Sequence, residues 1–231
     1  MIISHKHKFI FLKTHKTAGT SLQIALSKHC SEDDIISILH QSDSSLINKF
    51  DGLSNQNIEV DKKYFNHFDW IHYFFRQRKF TFSEHLDAQR VKRWIGEKVW
   101  NSYYKFCFER DPLDKVISYY FWRTRSESIS FEQFVLENIQ SLSDFNIYSI
   151  NSEIVVNKVY KYEEIEDSIH DLEEKLNLNL EFKGINAKSG FRDNSITKDS
   201  INDEMKNLIL NHFHNEIIHF YPHYLGNMNK I

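Results

Sequence analysis

Residues 9–26 read Phe9-Ile-Phe-Leu-Lys-Thr-His-Lys-Thr-Ala-Gly-Thr-Ser-Leu-Gln-Ile-Ala-Leu26. The apolar start predicts a short buried strand, and the apolar end predicts the beginning of a helix. Between them, Lys13 to Ser21 form a loop of lysine, threonine, serine and glycine with small neighbours. Backbone N–H groups at a helix N-terminus, the helix dipole and these side chains all favour an anion. The stretch therefore predicts a strand–loop–helix unit that binds a phosphate or a sulfate group.

The loop departs from the Walker A pattern G-x-x-x-x-G-K-[ST] of nucleoside triphosphatases. Thr14 stands where the first glycine would be and Thr20 where the lysine would be, whereas Gly19 and Ser21 fit the pattern. A lysine lies instead inside the loop, at Lys16. The loop thus favours an anion site over a typical ATPase site. An ordinary strand–turn–helix with surface lysines is the alternative interpretation.

A second segment repeats the order of apolar run, polar break and helix: Tyr103-Tyr-Lys-Phe-Cys-Phe-Glu-Arg-Asp-Pro-Leu-Asp-Lys-Val-Ile-Ser-Tyr-Tyr-Phe121. Asp111 is the predicted N-cap and Pro112 the first helical residue. Arg110 then ends a strand, and Ser118 lies about two turns into the helix. Since ligands of open α/β sheets bind beyond the carboxyl ends of strands, Arg110 and Ser118 are candidates for a second phosphate. Pairing of Arg110 with Asp114 is the alternative.

Together, the two segments resemble the sulfotransferase superfamily that uses 3′-phosphoadenosine 5′-phosphosulfate (PAPS). Lys13–Ser21 is similar to its 5′-phosphosulfate loop. Arg110–Tyr120 is similar to its 3′-phosphate motif, in which a serine follows the arginine by eight residues. The carbohydrate branch, with heparan sulfate 2-O-sulfotransferase-like proteins and bacterial relatives, is the most similar. Three further segments are similar in sequence to this branch: Phe82–Ala88, Ile95–Tyr103 and Val159–Glu164.

The resemblance implies a single α/β domain over residues 1–231, with a P-loop-like central parallel β-sheet flanked by helices. It implies transfer of a sulfuryl group from PAPS to a hydroxyl of a carbohydrate or glycolipid, with no metal required. The PAPS-binding residues that it implies are Lys13, His15, Lys16, Thr17, Ala18, Gly19, Thr20, Ser21, Arg110, Ser118, Lys188, Ser189 and Arg192.

Sulfuryl transfer needs positive charge at the leaving group and a base at the acceptor hydroxyl. Lys16 is the candidate for that charge, because it lies inside the anion loop. His85 is the candidate base, since its flanking residues match the position of a catalytic histidine in the carbohydrate branch. His15 is the second candidate. Several other histidines are interpreted as surface or core residues: His5, His7, His67, His72, His212 and His214.

The chain differs from the family pattern at three acidic positions. Glu109 and Asp111 flank Arg110, and Glu84 stands where a glycine usually precedes the histidine. We expect the two carboxylates beside Arg110 to weaken the electrostatic attraction for a 3′-phosphate. These positions leave open a catalytically inactive nucleotide-binding protein. The degenerate P-loop leaves open a small-molecule kinase or NTPase.

The composition is consistent with one domain that has a proper core. The 231 residues are 41% hydrophobic and 15% aromatic, and the net charge of −3 argues against a nucleic-acid surface. The two cysteines, Cys30 and Cys107, predict no disulfide framework, and Cys107 is expected in the core. The sequence shows neither a transmembrane run nor a signal peptide, so a cytoplasmic location is expected.

The remaining pattern alternates strands and helices, as in α/β folds. We expect an insert at residues 40–80 that contacts the acceptor, and a loop at Gln41–Asn57. In the insert, Tyr64–Lys79 is either an acceptor-binding segment or an ordinary amphipathic helix. The further elements that we predict are a capped helix after Ser130, a strand at Glu153–Tyr160, and helices at Glu163–Leu176 and Ser200–His219.

Overall fold

A computed structural model of the protein describes residues 1–39, 44–77, 79–124, 129–183, 185 and 195–227. Within these residues, seven strands form a central five-stranded sheet and a separate two-stranded hairpin. The strands are β1 (Ile2–Ser4), β2 (Phe9–Phe11), β3 (Ile35–Ile36), β4 (Tyr104–Glu109), β5 (Ser149–Ile150), β6 (Glu153–Ile154) and β7 (Lys158–Lys161).

The central sheet has the order β3-β1-β2-β4-β7. β2, β4 and β7 pair in parallel, and β1 is antiparallel to both β2 and β3. Four of the five strands in this described sheet therefore run in one direction, with β1 reversed. This arrangement confirms the predicted α/β class with a largely parallel central sheet.

The two strands that carry the sequence motifs lie side by side. Phe11 of β2 is opposite Phe106 of β4 in parallel register. Both strands are fully buried along their apolar residues, as expected of strands that are covered by helices on both faces. Because parallel neighbours end at the same edge of a sheet, the loops after β2 and β4 meet there.

Helices cover both faces of the sheet. The described helices are α1 (Gly19–Ser27), α2 (Ser44–Lys49), α3 (His67–Arg76), α4 (Ala88–Ile95), α5 (Glu97–Ser102), α6 (Pro112–Arg123), α7 (Phe131–Asn138), α8 (Phe145–Tyr148), α9 (Ile165–Leu176), α10 (Asp203–His212) and α11 (His214–Phe220).

Alternate residues of the central strands enter opposite cores, as the pleat requires. Phe9 and Phe11 pack with α1 and α9 on one face, whereas Ile10 and Cys107 pack with α4, α5 and α8 on the other. A third apolar cluster joins α6 to α7, α10 and α11. The expectation that Cys107 is a core residue is confirmed by its complete burial.

Three predicted boundaries are wrong. The expected loop at Gln41–Asn57 contains the short helix α2. The single strand predicted at Glu153–Tyr160 is two strands, β6 and β7, because β6 pairs with β5 in a hairpin. Asn151 and Ser152 connect β5 to β6, and both have positive φ. The last predicted helix is two helices that break at Phe213, whose ψ of 23° leaves the helical range.

In the part of the chain that the structure describes, no helix combines the length and the apolar character needed to cross a bilayer.

Candidate active site

A cleft of about 340 Å³ opens at the carboxyl ends of β2 and β4. Every residue predicted for the 5′-phosphosulfate loop lines it, and so do Arg110, Ser118 and His85. The structure thus brings the two motifs and the candidate histidine into one space. The remaining predicted contacts, Lys188, Ser189 and Arg192, lie outside the described residues.

The loop between β2 and α1 has an unusual backbone. Lys16 and Ala18 have φ of 60° and 57°, in the left-handed region that side chains with a Cβ rarely adopt. Ala18 is the N-cap of α1, and no side chain accepts a hydrogen bond at this cap. The helix therefore begins with N–H groups that a bound anion can satisfy.

Hydrogen bonds to the neighbouring strand hold this loop in place. Thr14 Oγ1 donates to the Phe108 carbonyl and lies 2.9 Å from Thr17 Oγ1. Arg110 Nη1 donates to the Lys16 carbonyl over 2.9 Å. The two motifs are therefore joined directly through their own residues.

Lys13 is a buried part of the loop rather than a surface lysine. Its side chain is 3% exposed, and its Nζ forms an ion pair with Glu84 and a 3.3 Å hydrogen bond to Gln23 Oε1. Glu84, which departs from the family pattern, thus compensates a buried ammonium. The stem of Lys13 packs on Gly19, where an added Cβ would lie 2.8 Å from Lys13 Cγ.

We expect Gly19→Ala to lower the free energy of unfolding by about 1–3 kcal/mol, because the new methyl group displaces the Lys13 stem. Urea unfolding measures the loss. Gly226→Ala is the matched control, because nothing lies within 4 Å of its added Cβ. Equal stability of the two variants would contradict the close approach of Lys13 and Gly19.

Arg110 ends β4 and α6 follows it, with Asp111 as N-cap and Pro112 at the first position, as predicted. Its guanidinium pairs with Asp114 at 2.5 Å and lies 4.2 Å from the centre of the Tyr162 ring. The alternative pairing with Asp114 is therefore present, and Arg110 still lines the cleft. Both contacts fix the orientation of the guanidinium.

The acidic neighbours of Arg110 do not line the cleft. Glu109 is completely buried, where its carboxylate accepts hydrogen bonds from Lys115 Nζ at 2.8 Å and Tyr148 Oη at 2.9 Å. Asp111 caps α6 and accepts a hydrogen bond from Tyr224 Oη at 2.7 Å. Each carboxylate is therefore directed to other partners, and the expected weakening of phosphate binding beside Arg110 stays a prediction.

Two imidazoles stack at one wall of the cleft. The rings of His15 and His85 are 3.6 Å apart between centres and inclined by 20°. His85 Nδ1 lies 2.8 Å from the Lys13 carbonyl, which can only accept, so Nδ1 carries the proton and Nε2 has a lone pair. Burial, with the neighbouring charges of His15 and Lys13, lowers the pKa of the His85 imidazole to about 2.

Several residues that the sequence did not single out complete the cleft and its support. Tyr119, Trp122 and Tyr162 line the cleft, and the Asp144 carboxylate contacts the ring of His15. Trp122 could have been found, since it lies four residues after Ser118 on one helix face. Nothing in the local sequence points to Asp144, because the fold alone brings it to the loop.

Among the described residues, no group of three or more histidine, cysteine, aspartate or glutamate side chains is arranged to hold a metal ion.

Comparison with known proteins gives one match to a family over most of the chain. A family model described as "Sulfotransferase family" matches residues 1–216. A protein from Archaeoglobus fulgidus, described as an uncharacterized protein, is 31% identical over 100 residues. That match covers 40% of this chain and 83% of the relative. No solved structure gives a significant match to the chain.

Proposed function

The chain belongs to the sulfotransferase family, and from this premise we propose that it transfers a sulfuryl group from PAPS to a hydroxyl of a carbohydrate or glycolipid. The observation that carries the proposal is that the anion loop and Arg110 border the same cleft. PAPS carries anionic groups at both the 3′ and the 5′ side of its ribose, whereas a nucleoside triphosphate carries them at the 5′ position only.

We propose that each anionic group of the donor binds at one of the two motifs. The 5′-phosphosulfate would bind the N–H groups at the start of α1 and the hydroxyls of Thr20 and Ser21. The 3′-phosphate would bind the guanidinium of Arg110 and the hydroxyl of Ser118. We keep Lys188, Ser189 and Arg192 as further proposed contacts of the nucleotide.

The proposed chemistry is an in-line displacement at sulfur. The acceptor oxygen bonds to sulfur while the bond between sulfur and the 5′-phosphate oxygen breaks, and that oxygen keeps the electron pair. Lys16 would neutralise the charge that grows there, because its loop surrounds the phosphosulfate. Its Nζ lies 5.3 Å from the centre of the Trp122 ring, at the cleft wall. This scheme uses positioning and electrostatics and requires no metal.

The hydroxyl proton needs an acceptor, and the stacked imidazoles supply one. His85, the base predicted from the sequence, has an unprotonated Nε2. Both rings line the cleft beside Lys16. We propose that this imidazole pair faces the acceptor hydroxyl.

The acceptor class is proposed from the aromatic walls of the cleft. Tyr119, whose ring centre is 5.7 Å from that of His15, and Trp122 offer ring surfaces on which a sugar can stack. No described residue of the 40–80 insert lines the cleft. In the insert, Phe68, Phe74 and Phe75 of α3 are 71%, 68% and 84% exposed, which supports a role in contacting the acceptor outside the cleft.

The test is thermal unfolding with adenosine 3′,5′-bisphosphate, with ATP, and with ATP plus Mg²⁺. Bisphosphate at about 100 times its dissociation constant should add roughly 2.7 kcal/mol of stability. Arg110→Ala should abolish most of that gain, whereas the exposed Arg90→Ala should retain it. A gain from Mg-ATP alone would favour the kinase alternative. Bisphosphate binding without transfer of labelled sulfate to any glycan would favour the inactive alternative.

A further inference from the structure

Asp144 holds His15 with both carboxylate oxygens. Oδ2 accepts the His15 backbone N–H at 2.7 Å, and Oδ1 lies 2.6 Å from the ring Nδ1. Because a carboxylate accepts, Nδ1 carries the proton and Nε2 is the nitrogen that can take another. Nε2 accepts no hydrogen bond from any described residue, and the His15 side chain lines the cleft. The contact therefore fixes both the tautomer and the orientation of His15.

The carboxylate of Asp144 is completely buried and is kept ionised by its neighbours. Burial alone would raise its pKa, but the ammonium of Lys115, 2.7 Å away, and His15 lower it below its usual value. Lys115 is shared with Glu109, 2.8 Å on its other side. A proton taken up by His15 would lie against the Asp144 carboxylate, whose other partner, the Lys115 ammonium, is shared with Glu109.

His85 has no such counterion. Its Nδ1 donates to a backbone carbonyl, and its Nε2 lies 4.0 Å from Glu84, which is already paired with the Lys13 ammonium. Two rings stacked at 3.6 Å do not both accept charge, because like charges at that distance repel. The two imidazoles can therefore carry one positive charge between them. The Asp144 carboxylate contacts His15, so His15 is the ring that carries it.

We propose that His15 is the catalytic residue that takes the acceptor's hydroxyl proton, that Asp144 is its positioning residue, and that His85 stays neutral. The step rests on the proposed sulfuryl transfer. The O–H bond of the acceptor breaks as its oxygen bonds to sulfur, and the proton moves to His15 Nε2. The imidazolium that forms lies against Asp144 and returns its proton to solvent after product release. The reacting hydroxyl has a single hydrogen, which goes to His15, so His85 Nε2 accepts a hydrogen bond from a neighbouring hydroxyl of the acceptor.

Charged and titratable groups surround the stacked pair on every side. They come from the loop itself, from the segment before α4, from α6 and from the turn before α8: Lys13, Lys16, Glu84, Lys115, Tyr119 and Asp144. The pH profile of the variants must therefore be read against that of the wild type. Conservative substitutions that keep the shape of each side chain are preferred.

The test compares His15→Gln, His85→Gln and Asp144→Asn in sulfate transfer across pH. We expect His15→Gln and Asp144→Asn to lower kcat about 100-fold. His15→Gln should remove the fall of the rate at low pH, whereas Asp144→Asn keeps the imidazole without its counterion and should move that fall to lower pH. We expect His85→Gln to lower the rate and to keep that fall. Bisphosphate affinity should change little in His85→Gln and Asp144→Asn, which separates a lost proton acceptor from a lost fold. His15→Gln is judged by its pH profile, because His15 is also a predicted PAPS contact. Loss of the pH dependence in His85→Gln alone would overturn the proposal.

A second measurement needs no activity. Ring signals of the histidines are followed by NMR from about pH 8 to about pH 5 and assigned from the His15→Gln and His85→Gln spectra. We expect the His85 signal to stay in place, because burial lowers the pKa of this imidazole. Movement of the His85 signal would refute the neutral role of His85, even if the protein proves to transfer no sulfate. Absence of transfer with a stationary His85 signal would count against the proposed function alone.

Discussion

Lys16→Ala is expected to lower the rate of sulfate transfer about 1,000-fold, because removal of one preorganised charge donor costs about 100-fold to 1,000-fold. The backbone of the loop should survive, since Arg110 binds the carbonyl of residue 16 and not its side chain. Alanine is also as compatible as lysine with the positive φ at this position. The rate of transfer at saturating donor and acceptor measures the effect.

The exposed Lys98→Ala in α5 is the matched control and should transfer sulfate at the wild-type rate. Bisphosphate binding to Lys16→Ala should be weaker than to the wild type but measurable. A Lys16→Ala variant with an unchanged kcat would exclude this lysine from stabilising the leaving group.

Lys115→Met is expected to lower the free energy of unfolding by about 3–5 kcal/mol, the usual cost of breaking a buried ion pair. Lys115 is fully buried between Glu109 and Asp144 at 2.8 and 2.7 Å. Burial alone would lower its pKa, but Asp144 and Glu109 raise it above the ordinary value for lysine. Without the ammonium, two carboxylates would be left in the core without compensation. Urea unfolding at neutral pH measures the loss.

A double variant tests that explanation. Lys115→Met with Glu109→Gln removes one of the two uncompensated charges and should regain part of the lost stability. The surface variant Lys98→Met should change stability by less than about 0.5 kcal/mol. If the double variant were less stable than Lys115→Met, the loss would come from packing and not from charge.

The elements that carry the motifs could be predicted because their signals are local. A strand, a polar break and an N-cap with proline lie within a few residues of each other at Asp111 and Pro112. The break at Phe213 could not be predicted, since Phe213 is itself apolar and buried and continues the helical pattern. The strand β1 was not predicted either. Its three residues give too short a pattern, and their pairing with β2 is a tertiary contact.

The site was partly predictable for the same reason. Arg110 and Ser118 are placed by one strand and one helix, so their spacing alone brings them to the cleft. Glu109 lies away from the cleft, because successive side chains near the end of a strand point to opposite sides. Asp144 could not be found, since it lies far along the chain from His15 and meets it only through packing of α8.

The position of β2 inside the sheet has a consequence for how the cleft behaves before any ligand arrives. β2 has a hydrogen-bonded neighbour on each side, and α1 is buried over its whole length. The loop between them is therefore anchored at both ends to buried elements, where we expect amide hydrogens to exchange slowly. We expect the anion site to be preorganised, so that a ligand binding there loses little free energy to ordering the loop.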